Sequence, residues 1–432
     1  MRYGVMVMLL LFAMPDVASA QAWAPPIGIP HPGAWFLKTE GNVQLVTAGG
    51  TSRTFTGTGT ANAPIIFRGV NNPRFTGSVT ISGSYVIVEN IDADGGGVNL
   101  TGEHVALRSS EVRNANKGTM VQISGTDVVV YGNRIHGNGD ADSSSEADRH
   151  GVGGGGNRIW IVDNEIYRNG GDSVQFGHNG GNRFGTIYIG RNVMHHDREN
   201  AVDIKEVSNV VISQNTMYGY RATSSSEGAA VVLHYCPVNA QVIFNTIYDS
   251  SVGISASSLN SSCNSYRPVK IGVIGNVIWN VGTGIQGWGS GKVAAIVGNT
   301  IYGTGGAGIN VANLGTGSVV ENNILWSIQG RPTAFSGGTP ALRNNLLDTA
   351  NPQFVNPDAG DFHLRSTSPA IGAGVASAAY ATYQSLYGVP ISVDRDGVPR
   401  PSGGTWDIGA YEFVSGGTPS GPPAAPTGLT VR

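Results

Sequence analysis

The chain has 432 residues, of which 64 are glycine and only 13% are charged. Glycine is at about twice its usual share, and so few charges argue against highly charged helices as the main architecture. A net charge of −3 argues against a nucleic-acid partner. Two cysteines, Cys236 and Cys263, leave no thiols for a shared metal framework.

The N-terminus reads as an export signal over residues 1–20. Arg2 supplies a positive start, Val5 to Met14 is apolar, and Ala18-Ser19-Ala20 is a small-residue cleavage site. That run is too short to span a bilayer. No later segment is long and apolar enough to insert, so a secreted protein of periplasm or medium is expected. In an oxidising compartment a Cys236–Cys263 disulfide is the default.

A short phrase then recurs: Asn, one residue, an aliphatic residue. It occurs at Asn133-Arg134-Ile135, Asn164-Glu165-Ile166, Asn192-Val193-Met194, Asn215-Thr216-Met217 and Asn245-Thr246-Ile247. It continues at Asn276-Val277-Ile278, Asn299-Thr300-Ile301, Asn322-Asn323-Ile324 and Asn344-Asn345-Leu346. The spacings are 31, 28, 23, 30, 31, 23, 23 and 22 residues. The base period is therefore 22 or 23, with four longer turns. Upstream, Asn90-Ile91 and Ser110-Glu111-Val112 fit the same register.

Each phrase lies between β-rich stretches such as Val210-Val211-Ile212 and Val202-Asp203-Ile204-Lys205, with Gly and Asn between them. Short strands at this period, without helical periodicity, describe one coil of a β-solenoid. Stacked at one corner, the Asn side chains can hydrogen-bond along the axis and tolerate left-handed backbone angles. About a dozen coils at ~4.8 Å each make a rod of ~55–60 Å. The predicted fold is all-β: a right-handed parallel β-helix with an N-terminal cap, over residues 21–350, with the coils beginning near residue 40.

Residues 60–350 thus resemble the right-handed parallel β-helix proteins: pectate lyases, alginate lyases, chondroitinases, polygalacturonases, epimerases and phage adhesins. The resemblance implies a long side groove for polysaccharide. The tail carries Asn351-Pro352-Gln353-Phe354, Asp361-Phe362-His363-Leu364, Ser368-Pro369-Ala370-Ile371-Gly372 and Asp407-Ile408-Gly409-Ala410-Tyr411-Glu412. It resembles the C-terminal segment of secreted bacterial β-helix proteins, which implies a cap over residues 351–413. The cap is expected to cover the strand edges of the last coil, with Asp394, Asp396 and Asp407 in turns. Residues 414–432 read as a Gly/Ser/Pro linker and the start of a fibronectin type III-like domain whose remainder the sequence does not contain.

The long coils carry insertions at about 136–153, 170–186, 219–229 and 256–268, and insertions on a solenoid cluster on one side, often the binding side. Aligning the strands after the Asn corner sets His150-Gly151-Val152-Gly153-Gly154-Gly155 beside Asp172-Ser173-Val174-Gln175-Phe176-Gly177. Next come Asn200-Ala201-Val202-Asp203-Ile204-Lys205 and Ala229-Ala230-Val231-Val232-Leu233-His234. Alternation points Val152, Val174, Val202, Val231, Phe176, Ile204 and Leu233 inward and Asp203 and Lys205 outward. Lys205 then has Gly177 and Gly155 on preceding coils, a floor for a flat sugar ring, and His234 on the following one.

Ionisable residues crowd the flanking turns, which is the main functional signal in a chain this poor in charge. Lys205 is the candidate base, with His234, His178, Arg149 and Arg198 as acid or carboxylate clamps. His150, Gln175, Arg221 and His196 are candidate substrate contacts. Asp172, Asp197, Glu199 and Asp203 are candidate oxygen ligands for Ca²⁺. The substrate class is an acidic polysaccharide, acted on by a monomer.

Resemblance to lysine-dependent polysaccharide lyases implies β-elimination, with Lys205 taking the C5 proton once neighbouring cations lower its pKa from ~10.4. Hydrolysis by an Asp172–Asp203 pair is an alternative, although the polygalacturonase motifs are absent and Gly177-His178-Asn179 only approximates one. Epimerisation is another, with His195-His196-Asp197 in place of the epimerase Asp-Pro-His-Asp. A non-catalytic carbohydrate-binding rod is the third.

Overall fold

The computed structural model describes residues 23–145, 147–177, 184–235, 237–256, 270–287 and 293–416. Residues 1–20, read above as an export signal, Cys236, Cys263, His178 and most of the segment 414–432 lie outside the described residues.

From Asn42–Val46 to Leu346–Leu347 the chain winds as a right-handed parallel β-helix. One face is a 13-stranded sheet whose strands follow chain order. Its registers carry Val128 to Ile159, then Ile187, then Val210. The remaining strands of the coils form one 22-stranded sheet bent into a second and a third face. The bend is continuous because Thr246–Ala256 and Val277–Gly287 each run through it. Ile135, Ile166, Met194 and Met217 align on the second face. Val152, Val174, Val202 and Val231 align on the third, as their spacing predicts. These valines, with Phe176, Ile204 and Leu233, are fully buried in one core running from Val46 to Ile328. Burying each contributes ~1.5–3 kcal/mol relative to exposure.

The Asn ladder forms. From Asn133 through Asn164, Asn192, Asn215, Asn245, Asn276 and Asn299, each residue gives its backbone N–H and Nδ2 to Oδ1 of the next at 2.9–3.0 Å. Two details differ from expectation. In the last two coils the ladder residues are Asn323 and Asn345, not Asn322 and Asn344. The left-handed residue of the corner is also not the ladder Asn but the one before it: Asp163 (φ 57°), Arg191 (49°), Gln214 (55°) and Phe244 (56°). Asn322 (57°) and Asn344 (46°) hold that preceding place, where Asn is one of the few residues that tolerate the conformation. Upstream, Ser110 joins the ladder by giving its N–H to Asn133 Oδ1 at 3.0 Å. Ile91, not Asn90, follows it, giving its N–H to Ser110 Oγ at 3.2 Å.

The outside of the first face is not open. Ile66, Ile87, Val129, Trp160, Val211 and Phe244 point out from it and are buried by both ends of the chain. Trp23 Nε1 donates to Asp163 Oδ2 (2.8 Å) and Trp160 Nε1 to Pro30 O (2.9 Å). A helix, Ala378–Tyr387, lies alongside, capped by Ser377 and closed by Gly388 in the left-handed conformation. Tyr383 in this helix donates to Gly28 O at 2.6 Å.

The tail packs Phe354, Phe362, Ile408 and Tyr411 against Ile324, Leu346, Trp279 and Tyr302. It therefore caps the ladder corner and flank of the last coils, while the strand Ala341–Arg343 stays exposed. Asp394 and Asp407 accept backbone N–H groups within the tail at 2.6–2.9 Å, as turn residues do. No described helix is long and apolar enough to cross a membrane.

Candidate active site

With the first face covered by the termini, the middle of the third face is where ionisable side chains converge. Lys205 follows the strand Val202–Ile204, flanked by Gly177 and His234 on neighbouring coils: its N–H donates to Phe176 O (2.9 Å), and His234 N–H to Ile204 O (2.7 Å). A Cβ at Gly177, where φ is +113°, would stand 2.6 Å from Lys205 Cβ. Only glycine fits there, which is the side-chain-free floor that the alignment predicts.

Asp203 points outward as expected but is buried, in register with Gln175 and Val232. Its Oδ2 lies 3.3 Å from Lys205 Nζ and its Oδ1 3.6 Å from His234 Nδ1. Oδ1 takes no hydrogen bond among the described residues. Asp172 is wholly buried. It accepts from Gln175 Nε2 (2.9 Å) and from Asn200 N–H and Nδ2 (3.1 and 2.9 Å). His150 Nδ1 is 3.2 Å from Asp172 Oδ2 and 3.0 Å from the Asp172 backbone N–H. A neutral ring accepts that N–H; a protonated ring gives it up and donates to the carboxylate. Glu199 accepts from Ser225 Oγ (2.9 Å) and from Arg198 (3.2 Å).

These groups perturb one another. Burial pushes Asp172 up, but His150, Asn200 and Lys205 outweigh it and hold the carboxyl below its ordinary value. Burial and the charge of Asp172 push Glu199 and Asp203 each up to about 7. His150 is lowered by burial but raised more by Asp172, ending above its ordinary value. Burial and the charge of Lys205 lower His234. Three carboxylates packed in low dielectric are an arrangement that a proton or a cation relieves. His150, Asp172 and Glu199 offer ligand atoms within 4.8 Å of one another.

One expectation is corrected by this geometry. The charges that dominate at Lys205 are carboxylates, not cations. Burial lowers its pKa, but Asp203 and Asp172 raise it further, so the net shift is upward.

The remaining candidates fall in different places. Asp197 lies apart from His150, Asp172 and Glu199, in a second corner ladder. Asn138 N–H donates to Asn169 Oδ1 (3.0 Å), and Asn169 N–H and Nδ2 to Asp197 Oδ1 (2.8 and 2.7 Å). Its Oδ2 accepts from Ser173 Oγ and Tyr220 OH. Both oxygens thus serve the fold. The sequence signal for this ladder is the spacing from Asn138 to Asn169 to Asp197, 31 and 28 residues, which repeats that of Asn133, Asn164 and Asn192.

Arg198 is buried between Ser143 O, Ser225 and Glu199, with one guanidinium nitrogen unpartnered. Arg149, beside Gly139 and Gly170, leaves its Nε unpartnered. Arg221 pairs with Asp249 at 2.6 Å. His196 Nδ1 contacts His195 Nδ1 at 2.9 Å. His195 itself belongs to a column of rings on the second face, Tyr167–His195–Tyr218–Tyr248, stacked 4.8–5.0 Å apart. Asn200, missed in the sequence, links Asp172 to Ala229 N–H (3.0 Å) and Ser226 Oγ (2.9 Å) on the next coil.

The fold is a parallel β-helix. No family model matches the chain, and no curated protein matches it in sequence. Among solved structures it is similar to a PL6-family alginate lyase, AlyGC (TM-score 0.51, 15% identity, 89% of this chain and 57% of that one). It is also similar to pectate lyase Pel9A (TM-score 0.46, 15% identity, 87% of each chain). A third is the A-module of mannuronan C-5 epimerase AlgE4 of Azotobacter vinelandii (TM-score 0.40, 15% identity, 65% of this chain and 91% of that one). At these identities the likeness extends to the fold alone.

Proposed function

We propose that the third face cleaves an acidic, uronic-acid-containing polysaccharide by β-elimination. The observation that carries this reading is the setting of Lys205: a strand-held amine over a glycine floor, beside the buried carboxylates Asp203 and Asp172. In the reaction the C5–H and C4–O4 bonds break and a C4=C5 double bond forms. Lys205 gives its ammonium proton to Asp203, 3.3 Å away, and then takes the C5 proton. His234, 3.6 Å from Asp203 Oδ1, carries the proton now on Asp203 to the departing O4, which leaves Asp203 a carboxylate and Lys205 an ammonium again. Arg149, which is partly exposed, supplies a guanidinium to the substrate carboxylate.

His150, Asp172 and Glu199, whose ligand atoms lie within 4.8 Å of one another, are the residues that would hold a cation such as Ca²⁺. Such an ion would neutralise the substrate carboxylate and so acidify C5–H.

A hydrolase is the second reading, because Asp203 is raised and Asp172 lowered, as in an acid–base pair. The complete burial of Asp172 disfavours it, because a hydrolytic carboxylate must reach the glycosidic oxygen or the attacking water.

The test is ultraviolet absorbance of the unsaturated product on pectate, alginate and glycosaminoglycans. Lys205→Ala should lower the rate ~10²–10⁴-fold with little change in melting temperature, and a chelator should also lower it. Unsaturated product at the parent rate from Lys205→Ala removes Lys205 as the base. Saturated ends from the parent transfer the reading to a hydrolase.

A further inference from the structure

A column of outward-facing positions runs along the third face, one per coil, through the reacting centre. On the N-terminal side of Asp203 it holds Asn99, Gln122, Gly153 and Gln175, and on the C-terminal side Val232, Ser255, Gln286 and Asn310. Apart from Gly153 and Val232, these are amides and a hydroxyl. They recognise sugar hydroxyls, which both donate and accept, and carry no charge to attract carboxylates. The coils rise ~4.8 Å each, close to the length of one pyranose in an extended chain, so each coil addresses about one sugar.

Glu227 comes over this column from the corner before the strand Ala229–Leu233. Its Oε2 accepts from Ser255 Oγ at 2.7 Å and from Gln286 Nε2 at 2.9 Å. The carboxylate is exposed and sits astride the second and third coils beyond Asp203, some ~10–14 Å along the axis. A carboxylate pinned by two track residues binds hydroxyl pairs well. It repels a uronate placed over the same coils, most strongly where the groove excludes water.

We infer that the subsite at Glu227 takes a neutral sugar, so the substrate is a heteropolysaccharide in which uronic acid is interspersed with neutral sugars. This rests on the reading of the third face as a polysaccharide groove. Charge is read at the centre, by Lys205 and Arg149, and hydroxyls are read two to three sugars away.

The experiment compares kcat/KM for unsaturated-product release from two homopolyuronates, polygalacturonate and polymannuronate, with that from a polymer alternating a uronic acid with a neutral 6-deoxyhexose. The parent should favour the alternating polymer by at least ~10-fold. Glu227→Gln should shrink that ratio at least ~5-fold, mainly by raising the rate on homopolyuronate. Gln286→Lys, which keeps Glu227 but sets a cation beside its carboxylate, should move it in the same direction.

Equal or better cleavage of a homopolyuronate by the parent overturns the inference, as does a ratio unchanged in both variants. If none of the polymers yields unsaturated product, the lyase reading fails, and calorimetric binding of the same polymers decides this one. Tighter binding of the alternating polymer, lost in Glu227→Gln, upholds it; tighter binding of homopolyuronate, or of neither, overturns it.

Discussion

Asp197 is a carboxylate where the two preceding coils carry asparagine, Asn138 and Asn169. Burial pushes its pKa up to about 6. The folded protein therefore binds a proton there more tightly than the unfolded chain. Its contribution is fully present below the ordinary carboxylate pKa and is lost as pH rises through about 6. Asp197→Asn keeps the acceptor for Asn169 and offers Nδ2 to Ser173 and Tyr220. The variant should be more stable than the parent at pH 8, by at most ~3 kcal/mol, and no more stable below pH 4. Melting temperatures across that range check this; parallel curves for the two proteins would refute it.

At the site, position was more legible than electrostatics. The insertions fall in the turns and leave the strand register intact, so Gly177, Lys205 and His234 could be aligned from spacing. The charge state of Lys205 could not be. It depends on Asp172 and Asp203 being buried together, and burial at a coil's corner is set by loops whose paths carry no period.

At the scale of one element, the corner ladder joins each coil to the next through groups that have no water to fall back on. Asn245 Oδ1 accepts Asn215 N–H and Nδ2, while its own Nδ2 donates to Ile212 O and Asn276 Oδ1. Asn245→Ala strips four hydrogen bonds and leaves buried donors and acceptors unpaired, at ~1–3 kcal/mol each. A net loss of ~3–5 kcal/mol in denaturant unfolding is expected. A loss under ~1 kcal/mol would mean that the ladder is incidental. The ladder was readable because one residue type recurs at the coil period. The slip at Asn322 and Asn344 arose because two adjacent asparagines serve one corner differently, the first bending the backbone and the second bonding along the axis. Only φ separates them, and a repeat count cannot.

Over the whole molecule, a solenoid whose coils touch only their neighbours has little long-range coupling of its own. The two ends of this chain supply it. The N-terminal segment bonds to Asp163 and Gln214, and the helix Ala378–Tyr387 holds that segment through Tyr383 and reaches Asn239 through Tyr387. The sequence carries a trace of this cover. Val128-Val129-Val130 and Val210-Val211-Ile212 are apolar without alternation, as strands buried on both faces are. What covers them was not readable, because the segments doing so lie far from them in sequence, near the two ends of the chain.

Tyr383→Ala tests the coupling. The side chain is fully buried, so its removal should cost ~3–5 kcal/mol. The helix should loosen from Gly28 and the N-terminal segment from the face. Limited proteolysis followed by mass spectrometry should then show early cuts within residues 23–37 and near 378–388 under native conditions. Denaturant unfolding should broaden, because coils no longer clamped together melt more independently. The third face lies on another side of the rod, so cleavage of polysaccharide per folded molecule should be retained. A single sharp transition with the parent's proteolytic pattern would show that the coils hold together without the clamp.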